Sequence, residues 1–551
     1  MVMRDSFLHG ILLLFSFFVF FAHHAGADQE TTPRCKAWLV QSIPTDMPHL
    51  KHVPGVLSTG ASPQLPSPVP YEEVFRWLAG NATERLDLIV QYWQLVASPE
   101  NPLSGDYGYS SEEMKTFGAD AGAGVYRAIE DAADRSVSVR IVQHSGVYPD
   151  YCNESSKLAY GRPNVENVTL LFDDWWGSGI VHAKVWIADG KDMYIGSANN
   201  DWKSLTQVKE VGVYLVDCHP IAKKVEVYFQ NLMKLSSLNS STYSKRIWDS
   251  VWQVHRNVPC WSHFVNARDR CRSPLPGLVE TPHVIGYPAL ENPYMFDVPM
   301  NMPDYNHNIC GNHRSYVSFS PPELSFGKFQ SDEQAWSDTI KSARYKGTVR
   351  ISTMDWLGQS QYVKQPIYWS SLASAISESM DTQFLWILGY LPPHSFPNLC
   401  SPSLTEDTLK QVVFSKHARV KILVAYWAHN IDSTDQYLKS LLYTNTLCES
   451  SRYNRCTGKV EIKYYKVPGF NMTGAAVNKG QKTANIYPAY SRVNHGKYAV
   501  SDVRAHIGTS NLLWDYFFTT AGVSFGTYHP AIVSQLQEIF DADWDSPYSV
   551  P

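Results

Sequence analysis

The chain has 551 residues, 44% hydrophobic, 18% charged and 13% aromatic, with a formal net charge of −5. That balance excludes a disordered chain and lacks the basic excess of a tight duplex-DNA binder. The length suggests two or three domains.

Residues 1–27 read as a targeting segment. Arg4 precedes an apolar run over 11–22, and Ala25-Gly26-Ala27 offers an A-x-A cleavage pattern. The run is short for a membrane span, which takes about 20 residues. A signal peptide is expected, with an uncleaved anchor as the alternative. A lumenal or extracellular chain follows, and other features agree. Sequons for N-glycosylation begin at Asn81, Asn153, Asn167, Asn239 and Asn471. Nine cysteines imply disulfides with one thiol left over. Cys448 and Cys456 flank a short loop that a bridge would close.

Beyond the leader, residues 28–264 alternate between strand and helix. Residues 86–93 (LDLIVQYW) read as a buried strand, 123–134 as a helix, and 137–142 and 168–172 as further strands. Residues 247–264 are rich in aromatics. Residues 265–330 carry many Pro and Asn and no clear period, and read as an interdomain excursion. Residues 331–551 repeat the first pattern: 348–356 (TVRISTMDW) answers 86–93, 420–426 (VKILVAY) answers 137–142, and 460–465 is another strand. The loop 469–488 reads either as a rim of the site or as a solvated insertion. Aromatics at 514–518 would stack a base, line a lipid groove or fill the core, the last being the commoner fate.

The chemistry sits in a motif that occurs twice. Residues 181–199 read VHAKVWIADGKDMYIGSAN, with His182, Lys184, Asp189 and Asn199; residues 494–511 read NHGKYAVSDVRAHIGTSN, with His495, Lys497, Asp502 and Asn511. One H-x-K-x4-D arises by accident about 0.04 times in a chain of this length; two, each followed by G-[ST]-x-N, are far rarer. In an extended segment His and Lys two residues apart share a face. Two strands joined by a turn would then return each asparagine beside its histidine. A nucleophile or acid, a fixed cation and an amide donor suit a phosphodiester, whose charge spreads over its non-bridging oxygens as the bond breaks. Each lysine would repel a metal ion from its histidine, so no metal and no other cofactor is expected.

The paired motif resembles the phospholipase D superfamily. The stretch 199–210 (NNDWKSLTQVKE), the opening 35–44 (CKAWLVQSIP) and the ending 543–549 (DWDSPYS) resemble its lysosomal phospholipase-D-like branch. The resemblance implies an α/β fold of two similar domains, each a mixed β-sheet flanked by helices, pseudo-twofold, with one shared active site. It implies a Cys35–Cys218 bridge, and hydrolysis through a phosphohistidine with His182 attacking and His495 protonating the leaving oxygen. Asp189 and Asp502 are expected to steady an imidazolium or its tautomer; Lys184, Lys497, Asn199 and Asn511 are expected to hold phosphoryl oxygens. The branch implies a lysosomal or vacuolar 5′-3′ exonuclease on single-stranded DNA or RNA. A phospholipase D or transphosphatidylase on membrane phospholipid is the rival, and a catalytically dead phosphate-binding protein the third reading. A homodimer, and membrane association through the N-terminal segment, stay open.

Overall fold

The computed structural model describes residues 35–50, 52–58, 70–144, 153–242, 275–280, 290–291, 315–325, 330–363, 412–430, 432–450, 456–471 and 486–551. The targeting segment 1–27, the aromatic stretch 247–264 and most of the loop 469–488 lie outside the described residues. Among those described, no helix is long and apolar enough to cross a membrane.

Two mixed sheets of nine strands repeat one another over eight of those strands. In the first, the order is Leu290–Glu291, Cys35–Ser42, Glu210–Val216, Asp192–Gly196, Val185–Ala188, Arg85–Val90, Ser138–His144 and Val165–Leu170, with Leu57–Ser58 also beside Cys35–Ser42. In the second it is Gln330–Ser331, Ser315–Ser320, Gly522–Thr527, Ala505–Ile507, Tyr498–Val500, Thr348–Thr353, Arg419–Ala425, Lys459–Tyr465 and Ser549–Val550. In both, the motif strands pair antiparallel, and the three strands farther along pair parallel. Parallel strands are covered on both faces and so read as continuous apolar runs. That is why VKILVAY and LDLIVQYW stand out in the sequence.

The second sheet reaches into the stretch 265–330. Ser315–Ser320 (SYVSFS) pairs antiparallel with Gly522–Thr527 over its whole length, and all six of its residues are buried. Its serines hid it, because a strand buried on both faces shows no polar alternation to mark it. Ser315 and Ser318 instead bond Thr527 and Asp332 in the interior.

Helices cover the sheets. Tyr71–Asn81 buries Val74, Phe75, Leu78 and Ala79, at the spacing of one helix face, and Asp120–Asp134 buries Val125, Ile129 and Ala132 beside it. A core then runs from one sheet to the other. Val181, Val185 and Val213 of the first half and Phe319, Val523 and Phe525 of the second belong to one buried cluster, with Leu536 and Phe540 of the helix Pro530–Trp544. Residues 35–551 accordingly form a single compact unit. Disulfides join Cys35 to Cys218 and Cys448 to Cys456, the chemistry of a chain that matures in the secretory pathway.

Candidate active site

Each motif histidine is delivered by its own half and anchored on the other. Val181 bridges Ala521, and His182 N–H donates to the Ala521 carbonyl at 3.0 Å. Reciprocally, Lys209 bridges Asn494, and His495 N–H donates to the Lys209 carbonyl at 2.8 Å. This exchange places the two imidazoles with ring centroids 6.5 Å apart at 73°. Neither half could hold its histidine there alone.

The two half-sites are alike in backbone and unlike in chemistry. Lys184 Nζ donates to the His182 carbonyl at 2.6 Å and to Gln91 Oε1 at 2.9 Å. Lys497 Nζ donates to the His495 carbonyl at 2.7 Å, with Met354 Sδ 4.0 Å away at the place of Gln91. Asn199 Nδ2 donates to Tyr92 Oη at 3.3 Å, and Tyr92 in turn donates to Asp201 at 2.9 Å. Asn511 Nδ2 donates to Asp355 Oδ2 at 2.5 Å, and Trp427 Nε1 donates to Asp355 Oδ1 at 3.0 Å. Both lysines are almost wholly buried. Eight sequence-predicted residues thus divide: both histidines, lysines and asparagines converge, and the two aspartates do not.

Asp189 and Asp502 stand at the far ends of the motif strands. Four strand residues lie between Lys184 and Asp189, so about 16 Å of extended chain separates the two. Asp189 accepts the N–H groups of Thr83, Glu84 and Arg85, each at 2.9 Å, and the Thr83 hydroxyl. Asp502 accepts from the backbone of Arg344 and Thr348, and a Cβ on Gly347 would collide with its carboxylate. Both aspartates pin the entry to a neighbouring strand. They do not touch the imidazoles, which corrects the expectation that they steady an imidazolium.

That task falls to Glu210, which spacing alone did not single out. His495 Nδ1 lies 2.9 and 3.0 Å from its two oxygens. Burial would raise the Glu210 pKa, but His495 and Lys497, with the Ser197 hydroxyl, hold it below the usual carboxylate range. The matching place in the second half, at the start of the strand Gly522–Thr527, is Gly522. A side chain there would run into Ser320 and Ser510, whose Oγ atoms would be 2.5 and 2.9 Å from its Cβ. His182 therefore has no carboxylate of this kind. Its Nδ1 lies 2.9 Å from the Thr509 carbonyl, and the ring of Tyr516 meets it edge-on at 4.9 Å.

The protonation states follow. A carbonyl accepts and cannot donate, so Nδ1 of His182 carries the hydrogen and Nε2 carries the lone pair. Burial, then Lys184, Lys497 and His495, lower the His182 pKa well below its ordinary value, so the ring stays neutral in acid. His495 is pulled down by burial and up by Glu210, and comes to about 4. Lys497 is lowered to about 7 by burial, against Glu210 and Asp355; Lys184 is lowered by burial and by Lys497. An anion between the two lysines would favour their charged forms again.

The sequons differ in surroundings. Asn81, Asn153, Asn239 and Asn471 are exposed. Asn167 lies in a strand with Nδ2 donated to Ser155 at 3.0 Å. A glycan there would break that bond. Among the described residues no group of three or more His, Cys, Asp or Glu is placed to hold a metal ion.

Comparison with known proteins gives this geometry its relatives. The family described as "Cardiolipin synthase, PLD-like domain" matches residues 113–233, which hold the first motif. Phospholipase D Z of Dictyostelium discoideum is 27% identical over 438 residues, 79% of this chain and 78% of that protein. The 5′-3′ exonuclease PLD3 of Homo sapiens is 25% identical over 533 residues, 96% of this chain and 83% of that protein. Among solved structures, phosphatidylserine synthase from Haemophilus influenzae aligns over 87% of this chain and 84% of its own, at 10% identity and a TM-score of 0.43. The first motif falls within the matched family segment and the relatives span both halves, and the chain belongs to the phospholipase D superfamily as one of its phosphodiesterases.

Proposed function

We propose that the chain is a lumenal 5′-3′ exonuclease on single-stranded DNA or RNA, working through a phosphohistidine. The observation that carries the mechanism is the asymmetry of the two histidines. His182 Nε2, neutral and unprotonated, attacks phosphorus; the P–N bond forms as the bond to the leaving ester oxygen breaks. His495 Nε2 gives its proton to that oxygen, and Glu210 stabilises the imidazolium beforehand. His495, now neutral, takes a proton from the water that next attacks phosphorus. The P–N bond breaks and His182 leaves as neutral imidazole. Lys184, Lys497, Asn199 and Asn511 hold the non-bridging oxygens throughout, where charge accumulates.

The choice of nucleic acid draws on relatives named 5′-3′ exonucleases, which span the chain almost end to end. Relatives named phospholipase D, with 25–28% identity, support the rival reading on membrane lipid. Purified glycoprotein at acid pH, offered labelled single-stranded oligonucleotide and phosphatidylcholine in parallel, separates the two. Stepwise loss from the 5′ end supports the exonuclease. Choline release with intact oligonucleotide replaces it with the phospholipase.

A further inference from the structure

A site built for an anion holds one group that should not be there. Asp355 sits beside Asn511 and in the field of Lys497, where burial pushes its pKa up to about 6. At the same place in the first half stands Tyr92. Arg85–Val90 and Thr348–Thr353 pair with their motif strands so that Ile89 matches Ser352, which sets Tyr92 against Asp355. The two sides of the phosphate site therefore differ: one presents a phenol, with Asp201 behind it paired to Lys203 at 3.4 Å, and the other presents a carboxylate. A carboxylate next to a bound phosphodiester is repelled by it, and its persistence there calls for a compensating use.

Resting on the exonuclease reading, we propose that Asp355 is the specificity-determining residue that makes the site read a strand terminus. The scissile phosphodiester at a 5′ end has a neighbouring phosphate on one side and a hydroxyl on the other. Every internal phosphodiester has a phosphate on both sides. Once ionised, Asp355 accepts a hydrogen from a hydroxyl, and it repels a second phosphate. The phenol of Tyr92, uncharged, admits one. The site then takes a phosphodiester flanked by phosphate on the Tyr92 side alone, which is a chain end.

The surroundings fit an acceptor held in one place. Trp427 and Asn511 each donate to a different oxygen of Asp355, and each oxygen keeps a further lone pair. Trp427 turns its N–H edge to Asp355, and His429 lies parallel to its ring at 4.4 Å and 5°.

The test compares kcat/KM at pH 6.5 for one single-stranded oligonucleotide carrying a 5′-hydroxyl, a 5′-methoxy or a 5′-phosphate end. The wild type is expected to favour hydroxyl over phosphate by a hundredfold or more. Asp355→Asn should cut that ratio at least tenfold, while Trp427→Phe, which keeps the carboxylate, should preserve it. The methoxy end separates charge from bulk without any variant, and should be cut within a fewfold of the hydroxyl end. The proposal is overturned if Asp355→Asn keeps the wild-type ratio, or if the methoxy end is rejected as strongly as the phosphate. Equal cutting of all ends by the wild type overturns it too, and leaves the nuclease reading standing. Choline release from phosphatidylcholine with no cutting of any oligonucleotide fails that reading, and the proposal with it.

Discussion

Glu210→Gln isolates the source of the proton. Glutamine keeps an acceptor for His495 Nδ1 and the volume of the side chain, and removes the charge. The carboxylate lies 2.9 Å from the ring nitrogen, with the two charge centres about 4 Å apart. At an effective dielectric near 20 that attraction is about 4 kcal/mol, or about three pKa units. His495, already held to about 4 by burial against Glu210, would fall by that order. The protonated fraction at pH 5 would drop about 10³-fold, and turnover about 10²- to 10³-fold once some relaxation is allowed. The sign is fixed by the requirement for a charged His495 and a neutral His182. In the wild type, kcat/KM should rise about tenfold per unit as pH falls from 7 to 5 and level off near 4. In Glu210→Gln the levelling should move to lower pH and out of reach. The assay is kcat/KM against pH from 4 to 7, with circular dichroism to verify folding. A variant with the wild-type profile would refute the reasoning.

Three further outcomes are expected. His182→Ala and His495→Ala should each remove nearly all turnover, and the double variant should be little worse, since groups acting as a unit are not additive; half the rate surviving in either would mean two independent sites. Asp189→Ala should leave kcat within a few-fold and lower stability by about 1–3 kcal/mol, because three backbone N–H groups lose their acceptor. A denaturant titration beside the activity assay measures both, and a hundredfold loss of kcat with unchanged stability would return Asp189 to the chemistry. Replacing Cys35 and Cys218 by serine opens a link across 183 residues, worth about 2–5 kcal/mol; an unchanged Tm would remove the bridge from the account.

The half-sites were legible because their chemistry is local. His and Lys two apart, with G-[ST]-x-N on the return strand, are fixed by strand period and a hairpin, so sequence spacing becomes spatial spacing. The aspartates show where that logic stops: five residues past the lysine lies at the other end of a strand. Glu210, Tyr92 and Asp355 depend on which strand lies beside which, a fact that spacing within one motif does not carry. A signal was present nonetheless. LDLIVQYW and TVRISTMDW both end where parallel strands open, at the carboxyl end that ligands favour in such sheets. Aligning them sets Tyr92 against Asp355. The strand Ser315–Ser320 was hidden for a different reason, the hydroxyls of Ser315 and Ser318 being bonded in the interior rather than by water.

The central claim is that one phosphoryl group passes through His182 with His495 as its acid. Mixing enzyme with excess substrate labelled at the phosphate, quenching within one turnover in alkaline denaturant, and mapping phosphorylated peptides tests it directly. The account predicts label on the peptide carrying His182, absent in His182→Ala. Label on His495 would reverse the roles, and prompt hydrolysis with no labelled histidine under any quench would contradict the phosphohistidine itself.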